Sequence, residues 1–253
     1  MYLTIQGIVL RVTDYNDKDA LLTMLTRRHG RLTVKARGLR RKNSPLIAPC
    51  QLLAYGEFTL FEYRGQYTIN EAQSIELFTP LRRDLTKLSL GTYFAQVSEV
   101  LSQEDMPSPE LQSLLLNCLY ALSRLDLPES QVKAVFELRA ACLSGYTPDL
   151  TGCHVCGSQT PERFDLSAGM LECRNCRSPE SNGIRMPVPP SVLEAMRYIC
   201  YCDSKKLFSF QAGEDTLQQL SEVTEAYLAT QLERGFRTLD FYKQMILPAG
   251  PDR

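Results

Sequence analysis

Two pairs of cysteines with the same spacing constrain the fold of this chain more than any other feature. Cys153 and Cys156 form one Cys-x-x-Cys sequence, Cys173 and Cys176 form the other, and sixteen residues separate the pairs. Each such turn directs two thiolates to one point, so two turns can surround one metal ion with four sulfurs. The spacing therefore predicts one structural zinc ion held by these four cysteines, with Gly157 allowing the backbone turn after the first pair.

Four sulfur ligands complete a tetrahedron and leave no position for a catalytic water molecule, so the zinc is expected to be structural. The alternatives are four reduced thiols without metal, or redox-active dithiols. His154 lies between two ligands and is expected to face solvent. Among the five other cysteines, Cys118 and Cys142 fall on apolar helical stripes and are expected in the core. Cys200 and Cys202 could form a further pair of metal ligands, which is the alternative interpretation of these two residues.

The composition is that of an ordinary globular protein, with 44% hydrophobic and 23% charged residues. No apolar run approaches the roughly 18–20 residues of a membrane span. The N-terminus lacks the charged and then apolar segments of a secretion signal. These features favour the reducing cytoplasm, where paired cysteines more often bind metal than form disulfides.

The net charge of −1 hides an asymmetry along the chain. Residues 1–80 contain 11 Lys+Arg against 7 Asp+Glu, whereas the remainder contains 17 against 22. The positive first part suits a polyanionic partner, and the negative second part suits a different one.

Residues 1–80 show the two-residue alternation of β-strands. The apolar positions change phase after Gly7, which predicts a β-bulge at that glycine. Residues 31–37 alternate cations with apolar side chains, which places the cations on one face of a strand. Residues 58–69 predict a hairpin that turns at 64–66. About five short strands predict a small closed β-barrel, because an open sheet of this size would leave unpaired edges.

The rest of the chain has apolar residues at spacings of three and four, which predict helices. The stripes run over residues 111–125, 132–143 and 217–228. Ser191 and Glu194 follow a pair of prolines in the pattern of a capping box, so a helix is expected to begin there.

The expected fold is therefore α+β, with a β-barrel domain followed by a helical domain that carries an inserted zinc module. The barrel domain is assigned to residues 1–80, the helical domain to 81–150 and 185–253, and the zinc module to 151–184.

Residues 27–42 contain eight cations and no acid. Such a run is often only a solvated surface, but a small barrel with a cationic groove and exposed aromatic rings can bind single-stranded nucleic acid. We therefore predict that these cations bind DNA: Arg27, Arg28, Arg31, Lys35, Arg37, Arg40, Arg41 and Lys42. The candidate residues for stacking on bases are Tyr15, Tyr55, Phe58, Phe61, Tyr63 and Tyr67.

Motifs of the common enzyme classes are missing from the sequence. There is no G-x-x-x-x-G-K-[ST] phosphate-binding loop and no G-x-S-x-G nucleophile turn. The only histidines are His29 and His154, and neither lies in the H-x-E pattern of a zinc deaminase. We therefore expect a protein without enzymatic activity.

Four regions, spread in order over nearly the whole chain, together form a pattern that is longer than any single motif. They are Gly7-Ile8-Val9-Leu10-Arg11 with Asp19-Ala20-Leu21-Leu22-Thr23; His29-Gly30-Arg31 with Lys35-Ala36-Arg37-Gly38-Leu39-Arg40; Phe136-Glu137-Leu138-Arg139 with Leu143-Ser144-Gly145-Tyr146-Thr147-Pro148-Asp149-Leu150 leading to Cys153; and Arg237-Thr238-Leu239-Asp240-Phe241. Together they resemble the RecO family of bacterial recombination mediators.

The resemblance implies an N-terminal OB-fold, a helical domain and an inserted zinc module. It implies binding to single- and double-stranded DNA, annealing of complementary strands, and loading of recombinase onto DNA coated by single-stranded-DNA-binding protein. The implied partners are RecR and the acidic C-terminal tail of that coating protein, in the cytoplasm and associated with the nucleoid. Some members of the family lack the zinc cysteines, so the metal is not expected to perform the annealing. Neither a membrane nor a small-molecule substrate is expected as a partner.

Arg139 falls seven residues after Val132, on the apolar stripe of its helix. A cation beside an apolar groove suits a peptide that ends in a carboxylate, so Arg139 is predicted to bind that tail. The alternative is a structural arginine that pairs with a nearby carboxylate or extends to solvent from the margin of the stripe. For the whole chain, the alternative function is a zinc-ribbon adaptor that docks proteins without a direct role in annealing.

Overall fold

The structure is a computed structural model that describes residues 1–176 and 183–246. The chain forms two compact units. The first contains Met1–Leu125 together with residues 236–246, and the second is Asp126–Gly235. Residues 178–183 are rich in Ser, Pro, Asn and Gly, which predicts a loop; apart from Gly183, they lie outside the described residues.

A closed barrel of five strands opens the first unit. The strands are β1 (Tyr2–Asp14), β2 (Ala20–Thr26), β3 (Gly30–Ala36), β4 (Tyr55–Tyr63) and β5 (Gln66–Glu76). They pair in the order β1-β2-β3-β5-β4, and β1 closes the barrel on β4. Neighbours are antiparallel except β3 and β5, which are parallel. This arrangement is OB-like and confirms the predicted α+β fold with an N-terminal barrel.

The predicted alternation in β3 is present. Leu32, Val34 and Ala36 point into the barrel core, while Arg31 and Lys35 lie on the outer face. The predicted hairpin is also present, as β4 and β5. It turns at Arg64 and Gly65, which both have positive φ, as a two-residue hairpin turn of type I′ requires.

The predicted bulge at Gly7 is wrong in position. Gly7 pairs regularly with both neighbouring strands, and the register of β1 against β2 shifts between Val9 and Arg11. Ile8 and Leu10 are buried although they do not belong to the barrel core. Helix α1 (Leu85–Leu101) packs against β1, so this strand has apolar residues on both faces. The apolar positions therefore change phase in the sequence before the residue at which the strand actually bulges.

Two further helices complete the first unit, α2 (Pro109–Arg124) and α6 (Arg237–Ile246). The Gln112 side chain at the start of α2 donates a hydrogen bond of 3.0 Å to the carbonyl of Leu25 in the barrel. α6 packs on α1, where Thr238 donates to the amide oxygen of Gln96 at 2.6 Å. α1, α2 and α6 therefore lie in the same compact unit as the barrel.

The second unit contains α3 (Glu129–Leu143), α4 (Pro190–Tyr201) and α5 (Glu214–Gln231). α3 packs against both of the others and is buried almost all round. α4 begins where expected, but the capping box is absent. The first turn starts at Pro190 without a side-chain cap, Ser191 accepts a hydrogen bond from Thr216, and Glu194 pairs with Arg197.

A buried ionic cluster joins α3 to α5. The ammonium of Lys133 lies 3.0 Å from the carboxylate of Glu137 and 2.9 Å from that of Glu225. It also donates to the carbonyl of Ser221 at 3.1 Å, and Thr224 donates to Glu137 at 2.8 Å. A buried carboxylate without these partners would carry a large desolvation penalty, so the cluster fixes how the two helices pack.

A small four-stranded sheet lies between α3 and α4 in the sequence. Its strands are β6 (Asp149–Cys153), β7 (Arg163–Asp165), β8 (Met170–Glu172) and β9 (Arg185–Pro187), in the order β6-β8-β7-β9. In the parts of the chain that the structure describes, no helix has the length and hydropathy needed to span a membrane.

Candidate metal centre and nucleic-acid surface

The four predicted metal-binding cysteines come together at one end of the small sheet. Their sulfurs all lie within 4.8 Å of one another, and those of Cys156 and Cys173 are 3.7 Å apart. Four sulfurs at about 2.3 Å from a central zinc ion would be about 3.8 Å apart in a regular tetrahedron. The cluster therefore has the donor set and the spacing to hold one metal ion.

Backbone hydrogen bonds hold both turns of the cluster. The amide of Gly157 donates to the carbonyl of Cys153 at 2.8 Å, and the amide of Cys176 donates to that of Cys173 at 3.2 Å. Gly157 has φ of +73°, which a residue with a side chain rarely adopts. The amide of Cys173 points at the sulfur of Cys153, 3.3 Å away. His154 is exposed, as expected.

The thiols of the cluster have different affinities for protons. Burial raises the pKa of Cys153, but backbone amides and neighbouring thiols outweigh that effect and lower it to about 6. Its hydrogen bond with Cys156 and its burial raise the pKa of Cys176 to about 12. Thiolates this close together repel each other, and a bound divalent cation would remove that repulsion. Metal binding at this cluster would therefore be coupled to the release of protons from the thiols.

The sheet that carries the cysteines is anchored to the helices of its unit. The ring of Phe164 in β7 packs edge-on against Tyr227 of α5, with centroids 5.1 Å apart. Gln231 donates to the carbonyl of Leu166 at 2.7 Å. Arg185 pairs with the buried carboxylates of Glu172 and Asp165 at 2.7 and 3.7 Å. The cluster of four cysteines therefore lies on a sheet that is anchored to the helices rather than on a free loop.

The eight cations predicted to bind DNA separate into two groups, at opposite ends of β3. Arg27 and Arg28 are exposed in the turn before it, and Arg31 begins the strand. The amide of Arg31 donates to the carbonyl of Gln103 at 2.9 Å, and its guanidinium contacts the carbonyl of Glu99 and, at 3.9 Å, the carboxylate of Glu104. A run without acids in the sequence thus meets acids from another part of the chain.

The second group, residues 35–42, lies at the end of β3 and in the loop that follows. Lys35 pairs with Asp19 at 3.5 Å and lies over the ring of Tyr15, and Arg40 pairs with Asp14. Arg37, Arg41 and Lys42 are exposed, and none of them forms an ion pair with a residue in 1–176 or 183–246. These three are the cations of this loop that remain available to an external anion.

Arg37, Gly38 and Arg41 form a wall shared by two neighbouring clefts. One has a volume of about 520 Å³ and is also lined by residues 16–19; the other, of about 580 Å³, continues along residues 43–46 and 69–73. Gly38 has φ of +67°, and its amide donates to the carboxylate of Asp19 at 2.8 Å. This bond, a second one from Asn16 and the nearby charge of Lys35 together lower the pKa of Asp19.

Asp19 positions the loop that carries the second group of cations, although its sequence surroundings indicate only a turn residue. Asn16 accepts hydrogen bonds from the amides of Lys18 and Asp19 and donates to the Asp19 carboxylate at 3.1 Å. The spacing of Asn16 and Asp19 indicates a turn. Only the fold shows that the turn holds Gly38.

The candidate stacking residues occupy different environments. Phe58 is fully buried in the barrel core and cannot stack on an external base. Tyr15, Phe61 and Tyr63 are exposed. Tyr55 and Tyr67 are partly buried, and the hydroxyl of Tyr55 donates to the side chain of Gln6 at 3.0 Å.

Arg139 is partly buried near the end of α3. Its guanidinium donates to the carbonyls of Cys200 at 2.9 Å and Ile199 at 3.3 Å, at the end of α4. Within the described residues no carboxylate pairs with Arg139. Arg139 therefore connects two helix ends and retains its charge for a further acceptor.

The chain matches two models of one protein family. Recombination protein O N terminal matches residues 1–78, and Recombination protein O C terminal matches residues 82–240. The protein named DNA repair protein RecO from Acetivibrio thermocellus is 32% identical over 250 residues, which cover 96% of this chain and 97% of the relative. Proteins of the same name from Alkaliphilus metalliredigens and Bacillus subtilis are each 29% identical; the alignments cover 97% and 88% of this chain and 100% and 86% of the relatives. With its OB-like barrel, helical part and four-cysteine cluster, this chain belongs to the RecO family.

Proposed function

We propose that this protein is a mediator of DNA repair and homologous recombination. In this role it binds single- and double-stranded DNA, anneals complementary strands, and helps RecR to load recombinase onto single strands coated by single-stranded-DNA-binding protein. Family membership and the relatives named DNA repair protein RecO support the role in repair. The observation that carries direct DNA binding is the loop after β3, where Arg37, Arg41 and Lys42 are exposed beside two clefts.

The proposed mechanism of annealing is electrostatic. Two complementary strands repel each other through their phosphates, and cations that neutralise both strands lower this repulsion. The exposed cations at the two ends of β3 are separated by a strand of seven residues, about 20 Å at the usual rise per residue. One surface can therefore contact two strands at once. No covalent bond is made or broken in this process, which makes the proposed role non-enzymatic.

We propose that the four cysteines hold one zinc ion with a structural role. When bound, the ion supplies a closed tetrahedral centre that stabilises the two turns. Cys153 and Cys173 lie at the ends of β6 and β8, so the centre fixes the small sheet at its open end, while Phe164 and Gln231 fix it on α5. This arrangement supports a positioning role for the metal and leaves DNA binding to the barrel.

We further propose that Arg139 binds the acidic C-terminal tail of single-stranded-DNA-binding protein. Its guanidinium carries a charge that no described carboxylate neutralises. A largely apolar cleft of about 730 Å³ is lined by Tyr198, Tyr201 and Phe210 and runs along α4, whose carbonyls at Ile199 and Cys200 accept from Arg139. An apolar cleft near a cation suits a peptide with hydrophobic side chains and a terminal carboxylate.

An annealing assay with charge reversal tests the DNA function. Arg37→Glu combined with Arg41→Glu should strongly slow the pairing of complementary oligonucleotides, because each change removes a cation and adds an anion at the shared wall. Arg83→Glu is the matched control, since Arg83 is exposed in the same unit and lies outside both clefts. Equal annealing by the double variant and the control would favour the protein-docking adaptor instead.

The proposed tail site is tested separately. Arg139→Ala should abolish binding of a fluorescent peptide with the sequence of the acidic tail, whereas Lys205→Ala, an exposed cation of the same unit, should leave binding unchanged. Circular dichroism checks that both variants are folded. Unchanged peptide binding by a folded Arg139→Ala variant would refute this assignment.

A further inference from the structure

A second pair of cysteines lies in contact, away from the metal cluster. The sulfur of Cys142, in the last turn of α3, lies 3.7 Å from that of Cys200, in the last turn of α4. The two residues are 58 positions apart, so only the packing of the two helix ends brings them together. Cys142 is partly exposed and Cys200 is 8% exposed.

The surroundings of this pair favour one reactive thiolate. The hydrogen bond between the sulfurs of Cys142 and Cys200, with further help from Thr147 and the charge of Arg139, outweighs burial and lowers the pKa of Cys142 to about 7. The same hydrogen bond and burial raise the pKa of Cys200. Near neutral pH Cys142 therefore carries more thiolate than a thiol with an ordinary pKa near 8.5.

The other cysteines outside the metal cluster, Cys50, Cys118 and Cys202, lack this combination. Cys202 is partly exposed, but burial raises its pKa above the usual value. Cys118 is fully buried, and burial alone raises its pKa well above the usual value. Cys50 is buried in the barrel core, which raises its pKa to about 12. An ionised, accessible thiol next to a second thiol is the arrangement of redox-responsive cysteines rather than of core packing.

We propose that Cys142 and Cys200 are a modification site, an oxidant-sensitive pair that closes reversibly into a disulfide. Cys142 is the residue that attacks, because it is the more exposed of the two. Cys200 is the residue that resolves the intermediate, because its sulfur already lies against that of Cys142.

With hydrogen peroxide as the oxidant, the chemistry is balanced in two steps. The Cys142 thiolate attacks one peroxide oxygen, the O–O bond breaks, and a sulfenic acid forms while the second oxygen leaves as hydroxide and is protonated to water. The Cys200 sulfur, losing its proton, then attacks the Cys142 sulfur and displaces the hydroxyl as a second water molecule. The two cysteine thiols lose two electrons and two protons in total, and two small-molecule thiols return them by exchange and leave as their own disulfide.

The disulfide would close a loop that contains the whole metal-binding sheet. Residues 149–187, with all four metal ligands, lie between Cys142 and Cys200. The bond would join the ends of α3 and α4, next to the carbonyls that accept from Arg139. Oxidation would therefore link the two helix ends that flank this sheet in the sequence, whether or not the metal is bound.

The test uses the full-length, zinc-loaded protein treated with hydrogen peroxide, followed by alkylation of free thiols, digestion without reductant and mass spectrometry. A peptide that links Cys142 to Cys200 is expected, with a loss of about 2 Da that dithiothreitol reverses. Cys142→Ser should remove the link, and Cys118→Ser should retain it in full. Zinc content measured on the same samples separates this reaction from oxidation of the metal ligands.

A second measurement does not depend on the oxidant. The rate of alkylation of Cys142 should rise with pH through a midpoint near 7, and in Cys200→Ala the midpoint should move up towards about 8.5 because the hydrogen bond between the two sulfurs is lost. Alkylation of both thiols in all molecules after oxidation, or links that join only other cysteines, would overturn the proposal. An unchanged midpoint in Cys200→Ala would overturn the assignment of roles within the pair.

Discussion

Neutralising Arg37 and Arg41 gives a quantitative test of the DNA-binding surface. Both side chains are exposed, form no ion pair within the described parts of the chain, and line both clefts. The double substitution Arg37→Gln and Arg41→Gln removes two charges while it keeps side chains of similar polarity. The charge of the barrel surface therefore changes with little expected effect on its core.

The magnitude follows from the number of available cations. Five of the eight predicted cations lack an ion pair among the residues that are described, namely Arg27, Arg28, Arg37, Arg41 and Lys42. At roughly −0.7 per contact with a single strand, five contacts give a slope of log K against log salt near −3.5. Loss of two contacts should reduce it to about −2.1. With equal affinity of the two proteins at 1 M salt as the reference, this change of slope makes the double variant bind about 14-fold more weakly at 0.15 M salt and about 65-fold more weakly at 0.05 M.

The assay is fluorescence anisotropy with a labelled oligothymidine, titrated at several salt concentrations from 0.05 to 0.3 M. Arg83→Gln, which removes one exposed cation outside the clefts, should leave the slope unchanged. Circular dichroism and thermal melting check that the barrel is intact. Parallel slopes for the wild type and the double variant would refute the assignment of Arg37 and Arg41, and a wild-type slope near zero would refute the DNA surface as a whole.

Three other predictions concern the metal, the helical core and the cationic loop. Cys173→Ser should yield protein without zinc and with local disorder in the small sheet; undiminished zinc by elemental analysis would contradict the metal assignment. Lys133→Met leaves Glu137 buried without its partner and should lower the free energy of unfolding by about 3–5 kcal/mol in urea titrations; a loss below about 1 kcal/mol would show that water reaches this carboxylate. Hydrogen bonding from Gly38 lowers the pKa of Asp19, so the anchor of the loop should be present above about pH 4 and be lost as the pH falls through the lowered value. Nuclear magnetic resonance of the Gly38 amide measures this, and a titration midpoint at or above the ordinary value would contradict it.

The helices and strands were largely predictable, because the spacing of apolar residues shows which side of each element faces the core. Alternation over residues 31–37 predicted β3, and stripes of apolar residues predicted α2 and most of α3. The prediction failed where tertiary packing changes the pattern. β1 is buried on both faces near Ile8, which displaced the predicted bulge, and α6 has only ten residues, so its apolar stripe is short.

The metal cluster and the cationic surface differ in how far the sequence alone determined them. Within each Cys-x-x-Cys turn the short covalent connection fixes the geometry, so the sequence alone predicted a four-sulfur cluster, and the structure has one. The availability of a charge depends instead on residues from distant segments. Asp14, Asp19 and Glu104 engage three of the eight cations, which no count along residues 27–42 could reveal. The contact between Cys142 and Cys200 likewise exists only because α3 and α4 end at the same place, since two cysteines 58 positions apart have no local signal.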